Sequence, residues 1–107
     1  MTQILQDGPR NVVVSVDGPF TLNRANLSGA PQRLTLERLW YDTGATTDVV
    51  VSWEATVNAL AWKCTGTHEL DFTDFGGIVN DAGAGATGNV IFAGTGVFSV
   101  VAQFKKT

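Results

Sequence analysis

Apolar side chains return at every second position along most of this chain, and that period constrains the fold more than any other feature. In residues 11–17, Val12, Val14 and Val16 share one face while Asn11, Ser15 and Asp17 take the other. In residues 48–54, Val49, Val51 and Trp53 alternate with Asp48, Ser52 and Glu54. Leu70 and Phe72 alternate with Glu69 and Asp71, and Phe98, Val100, Ala102 and Phe104 alternate with Ser99, Gln103 and Lys105. A repeat of two places side chains on opposite faces of a pleated strand. The residues involved are β-branched and aromatic, which such surfaces favour.

Four further segments read as strands. Residues 33–41 start with Leu34 and Leu36 on one face, but Leu39 and Tyr41 then fall on the other, beside Trp40. That slip in phase predicts a bulge, or burial on both faces at the strand's end. Residues 58–64 group Leu60, Trp62 and Cys64, residues 89–93 are short and apolar, and residues 19–23 complete the set. Turn chemistry separates them at Asp17-Gly18-Pro19, Ser28-Gly29-Ala30-Pro31, Asp42-Thr43-Gly44, Thr65-Gly66-Thr67 and Gly94-Thr95-Gly96. No segment carries an amphipathic helical pattern. The expectation is a single all-β domain over residues 1–107, an antiparallel β-sandwich of jelly-roll or immunoglobulin-like type with seven or eight short strands. Residues 1–10, with Gly8-Pro9, read as an extended N-terminal arm.

Composition narrows the function classes. The chain has 107 residues, 44% hydrophobic and 16% charged, against roughly 25% charged in an average domain. A surface so poor in charge suits packing against other proteins. The formal net charge is -3 and the pI about 4.8, and Lys105-Lys106 is the longest basic run. Neutralising phosphates takes clustered Lys and Arg, so direct nucleic-acid binding is not expected. Cys64 is the single cysteine, which rules out an intrachain disulfide and a cysteine-based metal site. Apolar runs stop at five residues, far short of the roughly 20 that span a bilayer. The first ten residues lack the basic head and apolar core of a secretion signal. The expectation is a protein made in a cytosol, with neither cofactor nor metal.

Several motifs invite a chemical reading. Gly83-Ala84-Gly85-Ala86-Thr87-Gly88 matches the spacing of a dinucleotide loop. That motif follows a strand and opens a helix, with an acidic residue about twenty positions on. Here the glycines follow another loop and lead into a strand-like segment, with no acidic residue after Asp81. Asp42-Thr43-Gly44-Ala45 copies the active-site tetrapeptide of dimeric aspartic proteases, in which each chain contributes one carboxylate of a proton-sharing pair. The matching C-terminal element, two apolar residues and a glycine leading into a helix, is missing, and an Asp-Thr-Gly hairpin turn is the plainer reading. Asp74-Phe75-Gly76 copies a kinase triplet without any other kinase signature. His68, the sole histidine, reads as a strand residue. Glu69, Asp71, Asp74 and Asp81 match no calcium-loop spacing and read as a solvated face or as turn caps. Trp40, Trp53 and Trp62 lie within strands among other apolar residues and read as core or interface, with a sugar-stacking platform as the alternative.

One resemblance emerges. Residues 70–90, LDFTDFGGIVNDAGAGATGNV, read with residues 38–56, the Ala61-Trp62 pair and the Phe104-Lys105-Lys106 ending, resemble small structural proteins of tailed-bacteriophage virions. The shared pattern is an aromatic strand before a turn and a strand ending in Trp-Glu. A glycine loop of the form DF-x-x-FGGI-x-N-x-AGAG-x-TG follows, then a small-residue hairpin and a last strand ending in lysines. The resemblance covers about residues 33–106, with the glycine loop its most specific part. It implies a non-enzymatic capsid decoration or cement protein located on the virion exterior. Its partners would be the major capsid protein or other virion proteins, and copies of itself, with a trimer as one arrangement. A tail or neck component would share the signature. The alternatives are a carbohydrate-binding adhesion module and the dimeric protease. The expected contact residues are Phe75, Gly76, Gly77, Ile78, Val79, Gly83, Gly85 and Gly88. A loop of this length without secondary structure is often functional.

Overall fold

The computed structural model describes residues 3–44, 48–94 and 98–106, with Phe75 described in its backbone only. It is an all-β sandwich of two antiparallel sheets. The strands are β1 (Gln3–Asp7), β2 (Asn11–Val16), β3 (Phe20–Leu22), β4 (Leu34–Asp42), β5 (Asp48–Trp53), β6 (Ala59–Thr65), β7 (Thr67–Asp71), β8 (Val90–Gly94) and β9 (Ser99–Lys106). The five-stranded sheet runs β1-β2-β9-β4-β7 and the four-stranded sheet β3-β8-β5-β6. Short 3-10 turns at Arg24–Asn26 and Thr73–Phe75 are the helical elements among the described residues. No helix among the described residues is long and apolar enough to cross a membrane.

The alternation read from the sequence becomes the core. Val12, Val14 and Val16 of β2, Val49, Val51 and Trp53 of β5, and Val100, Ala102 and Phe104 of β9 are all buried. Trp53 and Phe92 each meet Phe104 edge-on, at 6.3 Å between ring centroids, which ties the two inner faces together. Part of the N-terminal arm is itself a strand: β1 pairs antiparallel with β2, with all five of its residues exposed. Its base is clasped. Lys106, its side chain 5% exposed, gives its ammonium to the Asp7 carboxylate and to the carbonyls of Gly8 and Ser28, and the Ser28 N–H donates to Asp7 at 2.8 Å. The lysine hydrogen bond, reinforced by Ser28, holds the Asp7 carboxyl below its ordinary value.

Two bulges reset the pleat. In β4 the register against β9 jumps between Leu36 and Arg38, so Glu37 is the extra residue. Leu34, Leu36, Leu39 and Tyr41 then all face inward, as the phase slip in the sequence predicts. In β6 the register jumps between the partners of Val51 and Ser52, with Ala61 extra. This bulge turns Leu60 outward, 62% exposed, and separates it from Trp62 and Cys64. The expected grouping of those three side chains is thereby corrected.

Two connections keep to one sheet, β1–β2 and β5–β6; the others cross the sandwich. The Asp-Thr-Gly segment is therefore a crossover, not the hairpin turn expected. Buried Thr43 receives the Gly66 N–H on its hydroxyl at 2.7 Å and donates its own N–H to the Gly66 carbonyl at 2.9 Å. The β4–β5 and β6–β7 crossovers are pinned together at that point. β8 and β9 likewise sit in different sheets, so the small-residue hairpin suggested by the resemblance is a crossover too. Its central residues, 95–97, lie outside the described residues.

Candidate functional site: the glycine loop

Residues 76–88 join the end of β7 to β8 and are stitched to both sheets. The segment starts from the turn Thr73–Phe75, which Asp71 organises by accepting the Thr73 N–H and hydroxyl. Those two hydrogen bonds hold the Asp71 carboxyl below its ordinary value. Gly76 closes the turn in the left-handed region, at φ 86°. Ile78 then exchanges both backbone hydrogen bonds with Leu36, at 2.8 and 2.9 Å, extending the open half of β4. Gly77 makes this approach feasible: a Cβ there would lie 2.7 Å from Thr35 Cγ2 and 2.9 Å from the Leu36 carbonyl oxygen.

The far half of the loop leans on the other sheet. The Ala84 carbonyl accepts the Thr56 N–H (3.2 Å), the Thr87 N–H donates to the Glu54 carbonyl (3.1 Å), and the Glu54 N–H donates to the Asn89 carbonyl (3.0 Å). The Glu54 carboxylate accepts the Thr87 hydroxyl at 2.8 Å and the Asn89 amide at 3.2 Å. A Cβ on Gly85 would come within 2.1 Å of Thr56 Oγ1, and one on Gly88 within 2.2 Å of the Gln32 carbonyl oxygen and 2.5 Å of Arg24 Cδ. The last glycine runs into β8, not into a helix, so the dinucleotide spacing here shapes a strand-to-strand connection.

The residues expected to form a contact surface thus divide. Gly77, Ile78, Gly85 and Gly88 lie against the protein's own backbone and side chains. Gly76 and Gly83 have open space where a Cβ would point, and Val79 is 60% exposed. For Phe75 only the backbone position, in the 3-10 turn, is described. Thr35, Thr56, Glu54, Arg24 and Asn89, which hold the loop in shape, carry no local signal in the sequence. Their partners are tens of residues away.

Other candidate residues sit elsewhere. Asp42 is exposed, and its Oδ1 accepts the Gly44 N–H (3.3 Å) and the Thr67 hydroxyl (3.1 Å); Ala45 lies outside the described residues. His68 stands on edge strand β7 opposite Tyr41, 5.6 Å between ring centroids. No group of three or more His, Cys, Asp or Glu with metal-binding geometry occurs among the described residues. The three tryptophans do not form one platform. Trp53 is core, Trp62 packs at 5.1 Å against Phe72, and Trp40 alone lines a shallow depression of about 420 Å³ with Asp42, Thr67, His68, Glu69 and Ser99. No protein family, curated protein or solved structure matches the chain.

Proposed function

We propose that this chain is a structural protein of a tailed-bacteriophage particle that works by binding, as a decoration or cement protein on the assembled shell of major capsid protein. The observation that carries this reading is the build of the glycine loop. Thirteen residues are held by backbone hydrogen bonds to both sheets while Val79 points outward. A segment ordered before it meets a partner loses little conformational entropy on docking. Further apolar side chains at strand edges and the hairpin tip support the reading: Ile4 and Leu5 on β1, Val57 in the β5–β6 hairpin and Leu60 on β6. Edge strands offer unpaired main-chain groups to a neighbour. On a symmetric shell, many modest contacts add up to firm retention. Purified particles from the source should contain the chain at a fixed ratio to the capsid protein by mass spectrometry, and Val79→Asp should lower that ratio. Particles that lack the wild-type chain would refute the proposal.

A second reading, a saccharide-binding adhesion module, is favoured by the Trp40 depression. Trp40 sits between Val101 and Glu69 on the outer face of the five-stranded sheet. Trp40 is half-buried there, whereas the indole N–H groups of Trp53 and Trp62 are sealed off from solvent. An indole face beside carboxylates and hydroxyls suits a pyranose ring. A glycan array read with wild type and Trp40→Ala decides it: signal lost in the variant supports the reading, and silence of the wild type removes it.

A further inference from the structure

The depression around Trp40 carries charge of one sign. Trp40 stands on the outer face of the larger sheet, directly opposite Glu69 on β7 and Val101 on β9. Asp42, two residues on and on the same face, stands opposite Thr67 and Ser99. Residues directly opposite have Cβ atoms about 5 Å apart, and same-face neighbours along a strand lie about 7 Å apart. Both carboxylates therefore stand within about one sugar ring of the indole. The described lining contains no lysine or arginine. Arg38, two residues before Trp40 on the same face, is engaged by Asp71 at 3.5 Å. His68 belongs to the other face, where its ring meets that of Tyr41. Among the described residues, Trp40 makes no ring contact and Glu69 no hydrogen bond or ion pair. Asp42 is fixed by the Gly44 N–H and the Thr67 hydroxyl, both on Oδ1, and its Oδ2 has no described partner.

We propose that this depression takes an amino sugar, a pyranose whose ring stacks on the Trp40 indole and whose ammonium group is held between the Glu69 and Asp42 carboxylates. The inference rests on the saccharide reading of this site and names the class of sugar. An ammonium gains charge-assisted hydrogen bonds from the carboxylates and attraction to the negative face of the indole. The Thr67 and Ser99 hydroxyls can meet those of the ring. A uronic or sialic acid would instead bring a third carboxylate to a lining that already holds two, in a chain whose net charge is -3. That repulsion is the discriminating element, and a neutral sugar would gain only the stacking.

The test is a titration of ¹⁵N-labelled full-length chain, followed by NMR, with glucosamine, glucose, glucuronate and ethanolamine at matched ionic strength and mildly acidic pH, where both amines are protonated. The expected result is a saturable shift of the Trp40 indole N–H with glucosamine, at least about threefold tighter than with glucose, and none with glucuronate. Ethanolamine, which has the ammonium and no ring, should bind more weakly than glucosamine. Glu69→Gln, on an exposed edge position, should lower glucosamine affinity about two- to threefold and leave glucose unchanged. Equal affinity for glucosamine and glucose, or an unchanged glucosamine affinity in Glu69→Gln, would overturn the amino-sugar assignment and leave the saccharide reading standing. Ethanolamine binding as tightly as glucosamine, or silence towards every sugar, would overturn both.

Discussion

The two bulged strands, β4 and β6, use the same device to opposite ends. Each carries one extra residue, Glu37 in β4 and Ala61 in β6. In β4, which lies between β9 and β7, the bulge recovers the inward phase and buries Leu34, Leu36, Leu39 and Tyr41. The displaced residue is put to use: the Glu37 carboxylate accepts from Asn11 (2.6 Å) and Gln103 (3.3 Å), and its carbonyl accepts the Phe72 N–H (2.8 Å). In β6, at the edge of the smaller sheet, the bulge expels Leu60 and leaves Cys64 inside. A bulge in an interior strand therefore serves the core here, while one at an edge gives the protein an apolar side chain to present to something else.

The widest separation between the two strands should appear on truncation. Leu39→Ala should cost about 2–5 kcal/mol in urea unfolding, as buried leucines do. Leu60→Ala should stay within about 0.5 kcal/mol; a large loss there would mean that the outward side of β6 is already covered in solution. Next comes the loop that connects the two regions. Gly85→Val places a side chain at φ 78° against Thr56, at the tip of the β5–β6 hairpin, and should cost about 1–3 kcal/mol in thermal or urea melts. Gly83→Val, with open space and no left-handed requirement, should be near neutral. Equal effects would show that the loop is not seated on the hairpin.

Acid should act on one side of the comparison only. Lys106 pairs with Leu34 at the start of β4 and binds Asp7. Because Asp7 is held below its ordinary 3.8, its contribution is present above that pH and is lost as pH falls through the lower folded value. Stability measured down through this window should fall more steeply in wild type than in Asp7→Asn, which has already lost the charge. The smallest effect concerns Cys64. Burial pushes its thiol up to about 12, so it should resist thiol reagents in the native state and react at the rate at which β6 opens. Ala61→Gly, which loosens the bulge, should speed that reaction a fewfold with little change in the unfolding midpoint.

These strands also show why some of the structure could be read in advance. The β4 bulge was legible because polar residues mark the pleat: Leu34 and Leu36 are out of phase with Leu39 and Tyr41. The β6 bulge was not, because residues 59–62, Ala-Leu-Ala-Trp, are apolar at every position and a slip among them leaves no trace. The glycine loop was visible from composition, but the groups that give it shape were not. Thr56, Arg24 and Leu36 reach it only through tertiary folding. The Asp-Thr-Gly turn shows a different limit. Turn chemistry marks where the chain reverses, while the sheet it enters next depends on crossing the core, as the Thr43–Gly66 contact shows.

The place of β9 in the larger sheet has a consequence for how the chain is made. β9 lies between β2 and β4, so it is the sole bridge between the β1–β2 hairpin and the rest of that sheet. Of the nine described strands it is also the one that leaves the ribosome after all the others. Until Ser99–Lys106 emerges, β2 and β4 each hold a bare edge and an apolar face with nothing to join them. The nascent chain must therefore wait, open, for β9. Ribosome stalling or premature termination before residue 99 should yield an aggregating product, not a smaller version of the domain.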